Sequence, residues 1–393
     1  MTTEARVDNT LGVMRAAWVI TAIFILSNAA TPLYGFWQDK LGFASGILTV
    51  IFGCYILGLL MTLVVAGQLS DHYGRKAMLL PGIVIAILAA LLFEAADSVF
   101  VLMLARFLTG LSVGIVVSAG MANVVEQTSS HRRQFASLMA SVAMVAGAGS
   151  GPLLAGLIAH YYADPIRLVF SAEILLLLLA LVTVLRQPHR KLGTGAFRPK
   201  FPSIPKQSIG IVLLGITFFG PGITATSFVL SLGPKMLATL LHTNQPLLSG
   251  VMAFFMFLVA VLVQFAMKPF GVKRMFALSG ISTIVGMISL WLALHFGSAA
   301  WLLVGALLAG AGQGLGQLGG LTLIAENVSA NRRAEANAIF NIGGYIPAGI
   351  IPVATGYLIE FFGLEMGVTA LASFIAGSAI LALGGLAKTR TVS

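Results

Sequence analysis

Residues 67–76 read Gly67-Gln68-Leu69-Ser70-Asp71-His72-Tyr73-Gly74-Arg75-Lys76. Charge and glycine crowd this stretch, and on either side lie apolar runs, residues 43–69 and 77–96, that carry almost no charge. A helix needs about 20 apolar residues to cross about 30 Å of hydrocarbon, so the stretch reads as the connection between two membrane helices. Working outward, the runs 16–37, 98–125, 135–161 and 166–185 complete a group of six. A polar, Pro-containing segment, 186–207, follows, and then come the runs 208–241, 246–267, 275–295, 299–324, 334–362 and 364–386. The expected protein is an all-α polytopic membrane protein of 12 transmembrane helices. A six-helix bundle occupies 1–185, a linker 186–207, and a second bundle 208–393.

Composition agrees with that reading. Of 393 residues, 58% are hydrophobic and 9% charged, with a mean hydropathy of +0.98. A soluble domain carries about 25% charged residues, so an ordinary soluble fold is excluded. The net charge of +10 would suggest a nucleic-acid partner if it were gathered on one face. It is instead dispersed in short connections. Arg75, Lys76, Arg132, Arg133, Lys268, Arg332 and Arg333 fall on one side of the membrane, and Lys40, Arg167 and Lys235 on the other. By the excess of Lys and Arg in cytoplasmic loops, both termini are expected in the cytoplasm, in a bacterial plasma or inner membrane. The first helix reads as uncleaved. Cys54 is the one cysteine, which excludes an intrachain disulfide and a thiolate metal cluster. No G-x-x-x-x-G-K-[ST] box occurs, so direct driving by a nucleotide is not expected. Neither a cofactor nor a metal is expected, and the spans hold no nucleophile–base pair that would make an enzyme.

Shifting the chain by 200 positions lays it on itself. Gly110, Gly114, Gly120, Glu126, Arg132 and Arg133 meet Gly310, Gly314, Gly320, Glu326, Arg332 and Arg333, and Gly149, Pro152 and Gly156 meet Gly349, Pro352 and Gly356. Six helices, an even number, separate the copies, so both halves have the same orientation across the bilayer. Two parallel repeats related by an axis along the membrane normal are a transporter design.

The stretch 67–76 matches the pattern G-x-L-x-D-x-x-G-R-[RK], and on it the chain resembles the major facilitator superfamily over its whole length. The resemblance implies a cytoplasmic gate of Gly67, Asp71, Gly74, Arg75, Lys76 and Glu126, in which Asp71 acts on the start of helix 11 and Arg75 pairs with Glu126. The second half carries a degraded copy, residues 268–274, with no acid matching Asp71. Helix 5 reads Gly147-Ala148-Gly149-Ser150-Gly151-Pro152-Leu153-Leu154-Ala155-Gly156. Gly147, Gly151, Pro152 and Gly156 there resemble the helix-bend element of the superfamily's drug:proton antiporters, in which Pro removes a helix hydrogen bond and glycine allows close packing.

The superfamily's cavity is lined chiefly by helices 1, 4, 7 and 10, with help from 2, 5, 8 and 11. On this sequence that nominates Asn28, Tyr34, Arg106, Phe218, Phe219, Gln313, Gln317, Asn341 and Tyr345 as substrate-binding residues, with Met252 and Met256 adding soft apolar surface. Gln313 and Gln317, like Asn341 and Tyr345, are four apart and share a helix face. Arg106 lies about 12 Å from its helix end at 1.5 Å per residue. Burying it costs at least about 2.5 to 3.5 kcal/mol, so it should face a wet cavity or a partner. The proton-coupling candidates are Arg106, Glu173 and Asp39. The first helix offers Asn28 but no carboxylate, a departure from the antiporter pattern. The reading is a secondary active transporter working by alternating access, coupling proton entry to efflux of small amphiphilic or drug-like molecules. The alternative is a proton-coupled symporter importing a sugar or organic acid. The partners expected are a small-molecule substrate, protons and the lipid bilayer, and a monomer suffices.

Overall fold

A computed structural model describes residues 10–128, 132–188, 206–329 and 332–388. Most of the expected linker lies outside the described residues. Among the described residues, 12 helices are long and apolar enough to cross a membrane. In chain order they are α1 Thr10–Leu41, α2 Ser45–Tyr73, α3 Arg75–Glu94, α4 Val99–Glu126, α5 Arg133–Tyr161 and α6 Pro165–Leu185. The second six are α7 Lys206–Leu241, α8 Pro246–Met267, α9 Val272–His295, α10 Ala299–Asn327, α11 Arg333–Phe362 and α12 Leu364–Lys388.

Local chemistry sets the breaks. The stretch 67–76 is shorter as a loop than the sequence suggests, because α2 runs on to Tyr73 and α3 starts at Arg75. Gly74 alone makes the turn, at φ +94°, a backbone conformation that costs glycine little and other residues more. α1 bends where Pro32 sits in a 3₁₀ turn, Thr31–Leu33, and ends on Gly42 at φ +69°. α4 contains a π turn, Val116–Gly120.

The phased glycines find a physical reason in the packing. Within each half, a Cβ on Gly110 would collide with the Tyr55 carbonyl of α2, and one on Gly310 with the Met256 carbonyl of α8; one turn on, Gly314 meets the Ala260 carbonyl and Gly114 the Thr62 hydroxyl. Between the halves, α5 packs on α8 and α11 packs on α2. A Cβ on Gly156 would lie 2.5 Å from the Pro246 carbonyl oxygen, and one on Gly356 would strike the Thr49 hydroxyl. Glycine here replaces the hydrophobic driving force that lipid does not supply, by letting backbones touch. The repeat therefore encodes the same two contacts twice.

Each crossing reverses the chain, so the ends of α2, α4, α6, α8 and α10 share one face. We call this the basic face, because Arg75, Lys76, Arg132, Lys268 and Arg332 lie there.

Candidate functional site

A cavity of about 470 Å³ lies between the halves, lined from α1, α2, α4, α5, α7, α8, α10 and α11. It reaches Phe265 and Lys268, exposed residues at the basic-face end of α8. On the opposite face the halves are in contact through the α5–α8 and α2–α11 pairs. The molecule is thus closed on one side and hollow on the other.

The walls mix two chemistries. Phe24, Phe52, Phe257 and Met144 supply apolar surface, and Asn28, Tyr55, Gln313, Gln317, Asn341 and Tyr345 supply polar groups. Asn28 Nδ2 donates to Ser27 Oγ at 3.0 Å, and Asn341 Nδ2 donates to the Asn337 carbonyl at 2.8 Å. Gln313 Oε1 is without a hydrogen-bond partner among the described residues. Ser227 Oγ donates to the Ala348 carbonyl at 2.7 Å, tying α7 to α11 at the wall. Volume and lining suit a small amphiphile.

The sequence-nominated residues divide. Asn28, Gln313, Gln317, Asn341 and Tyr345 line the cavity; Tyr34, Arg106, Phe218 and Phe219 do not. Phe218 stacks on Phe276 of α9, centroids 4.5 Å apart. One residue of helix rotates about 100°, which turns it from the cavity wall into the core of its own half. Phe219 shares the face of Ile223 and Thr226 but is covered by Phe340, at 4.9 Å, and by Tyr345, at 6.0 Å. Met252 and Met256 are also buried behind the wall. Phe52, Tyr55, Ile56, Leu59 and Leu63 of α2 also line the cavity, and their recurrence three and four residues apart marks one helix face.

Arg106 is 0% exposed and faces neither a wet cavity nor a carboxylate. Its Nη1 donates to the Ser27 carbonyl at 2.7 Å. The guanidinium carbon stands 5.1 Å from the Tyr34 ring centroid, 5.7 Å from that of Phe52 and 5.6 Å from that of Phe93. Three aromatic faces and one carbonyl serve as its partners, since a ring face attracts a cation. Nε and Nη2 have no hydrogen-bond partner among the described residues. No hydrogen bond or ion pair joins Arg106 to Glu173 among the described residues. Phe93 instead stacks on Phe170, one turn from Glu173 on α6, at 4.8 Å. Glu173 is 4% exposed, and its Oε2 is unpartnered among the described residues.

A second hollow, of about 330 Å³, opens on the opposite face. Tyr34, Asp39, His160 and Lys235 are among its lining residues. Tyr34 and Asp39 thus belong to this vestibule rather than to the central cavity. Among the described residues no group of three metal-ligating side chains occurs.

On the basic face Arg75 has its partners within its own half. It lies 2.6 Å from Asp71 and 3.0 Å from Glu126, and its Nη1 donates to Ser70 Oγ at 2.9 Å. Asp71 is turned to Arg75 rather than to the start of α11, with 69% of its side chain exposed. Lys76 donates to the Leu185 and Gln187 carbonyls, each at 2.6 Å. It satisfies carbonyls at the C-terminus of α6, which no further helical turn would.

The helix-bend element uses two faces. Gly147 and Gly151 meet the Thr21 and Ile25 carbonyls of α1, and Pro152 and Gly156 meet Gly250 and Pro246 of α8.

Residues 16–268 match the family model described as Major Facilitator Superfamily. The chain is 31% identical to an uncharacterized transporter of Rickettsia felis over 42% of each chain. It is 26% identical to the multidrug resistance protein MdtL of Shewanella oneidensis over 60% of this chain and 59% of that one. The chain therefore spans about half the length of these two curated relatives. The solved structure of a D-xylose–proton symporter superposes with a TM-score of 0.77 at 16% identity, over 96% of this chain and 98% of that one. A family match across well over half of the chain, on 12 spans around a central hollow, means that this protein belongs to the Major Facilitator Superfamily and is a transporter rather than an enzyme.

Proposed function

We propose that this protein exports small amphiphilic molecules by alternating access in exchange for protons, acting as a monomer with its basic face and both termini in the cytoplasm. The observation that carries the reading is the 470 Å³ hollow between the halves, amphiphilic in its lining and reaching the basic face. A solute enters from the cytoplasm, the halves rock, and the contacts of α5 with α8 and of α2 with α11 give way to an opening on the other side. The likeness to a multidrug resistance protein and the Gly147–Gly156 element support export. The gate role of Asp71, Arg75 and Glu126 belongs to the same proposal: in the closed cytoplasmic state Asp71 leaves Arg75 for the start of α11. Among the coupling candidates, Glu173 is favoured because it is a buried carboxyl within a span. Asp39 lies in the vestibule, and Arg106 acts as a fixed cation.

The test is flux in inside-out proteoliposomes with an imposed pH gradient, using 1-naphthol as solute. Accumulation driven by an acidic lumen supports antiport export. Accumulation driven by an acidic exterior overturns it in favour of symport.

A further inference from the structure

The lining of the central cavity carries charge of one sign. Among its described lining residues Lys268 is charged and no carboxylate occurs. Behind the wall, the Arg106 guanidinium stands 5.7 Å from the ring centroid of Phe52, a lining residue. Its Nη1 donates to the carbonyl of Ser27, the neighbour of the lining residue Asn28. No acid lies within 4.0 Å of Arg106 among the described residues, so its charge is not cancelled locally. Of the acids at the basic-face ends of the lining helices, Glu126 and Asp71 pair with Arg75 and Glu335 pairs with Arg332, and Glu326 of α10 is outside the lining. Glu173 is buried on α6, which contributes nothing to the lining.

We propose that the central cavity selects amphiphilic solutes that carry no positive charge, admitting neutral and anionic ones and turning organic cations away. The inference rests on the transporter reading and adds the substrate class. A cavity with low-dielectric walls focuses the field of the charges around it. Arg106 and Lys268 give that field a positive sign, while Phe52 keeps the Arg106 guanidinium from contact with the solute. Cation–π contacts hold the guanidinium without neutralising it, because the rings have no net charge. A carboxylate in the lining would favour organic cations, and among the described lining residues there is none.

The experiment reads the sign of the field directly. In the full-length protein with Cys54→Ser, Ser141→Cys places a thiol on the cavity wall. The rates of modification by the sulfonatoethyl and trimethylammonioethyl methanethiosulfonates are compared at low ionic strength, where screening is least. Their ratio is referred to the same ratio for a free thiol in solution. A unit charge about 12 Å away at an effective dielectric of about 20 changes a rate about tenfold. Because the two reagents carry opposite charges, their rates move in opposite directions, and the expected result is a ratio shifted about a hundredfold toward the anionic reagent, with Gln317→Glu shifting it back toward the cationic one. A ratio equal to that of the free thiol, or shifted toward the cation, overturns the proposal. Flux keeps the two readings apart. Tetraphenylphosphonium carried in competition with 1-naphthol sinks the charge selection and leaves transport standing. No flux of any solute, with an anion-shifted reagent ratio, sinks the transporter reading and leaves the charge selection standing.

Discussion

The Glu360 carboxylate, on α11 of one half, accepts a hydrogen bond from the Gly46 backbone N–H, in the first turn of α2 of the other half, at 3.3 Å. The N-terminus of α2 has Ala44 at its cap position and no side-chain cap of its own. The cap is supplied across the interface. Beside it Lys235 of α7 donates to Ser45 Oγ. Both bonds join the halves on the face opposite the cavity mouth, so opening that face has to break them.

A carboxylate at a helix N-terminus contributes about 0.3 to 1 kcal/mol. Glu360→Gln is therefore expected to raise the outward-open population about two- to fivefold, read as a longer distance between spin labels at Gln38 and Asn244 on that face. Gly46→Ala should act more strongly, since its Cβ would lie 2.7 Å from both the Glu360 carboxylate and the Tyr357 ring. Unchanged distance distributions in both variants would show that the trans cap does not bias the equilibrium.

On the basic face, Asp71→Asn and Glu126→Gln separate two roles of Arg75. Glu126→Gln removes an ion pair internal to one half, worth about 1 kcal/mol for a partly exposed pair, and should lower the melting temperature by a few degrees with transport retained. Asp71→Asn leaves the Arg75–Glu126 pair in place, so stability should change little. If Asp71 serves the closed cytoplasmic state, the turnover rate should fall at least tenfold. Thermal unfolding and proteoliposome flux measured on both variants check the pair of outcomes.

Gly156→Ala tests the contact of α5 with α8. The added methyl would sit 2.5 Å from the Pro246 carbonyl oxygen, a backbone atom, and such overpacking typically costs about 1 to 3 kcal/mol. Because the contact joins the two halves on the closed face, the cost should appear as a shift away from the inward-open state. Label accessibility in the vestibule near Lys235 should increase. Gly377→Ala, at a helical position with nothing within 4 Å, is the matched control.

Much of this fold is legible in the chain because lipid imposes simple rules: apolar length sets each span, and loop charge sets the expected orientation. The 200-residue repeat is visible chiefly as glycine, and at Gly110, Gly310, Gly156 and Gly356 the structure explains it by close helix contacts made once in each half. The cavity wall was read less well. A helix position alone does not say whether a phenylalanine meets the hollow or a neighbour, and in a membrane protein both environments are apolar. Phe218 and Phe219 were lost for that reason, and the α2 stripe from Phe52 to Leu63 was missed. Arg106 misled differently: a buried cation calls for a partner, but three aromatic rings and a carbonyl supplied it, and no spacing rule announces such a cage.

Glu173 gives the last prediction. It is a buried carboxyl on α6, lies one turn from Phe170, and has one oxygen unpartnered among the described residues. Leaving a buried charged group unpaired is costly, so a carboxyl retained in that position needs a reason. If the reason is proton carriage, Glu173→Gln keeps the shape and removes the ionisable group. Solute exchange down its own gradient should persist within about twofold, and accumulation driven by the pH gradient should be lost. If the carboxyl serves packing alone, Glu173→Gln should instead leave driven accumulation intact, and coupling would have to be sought at Asp39 in the vestibule. Measuring both fluxes on one preparation separates a coupling defect from a folding defect, because a misfolded protein loses exchange as well.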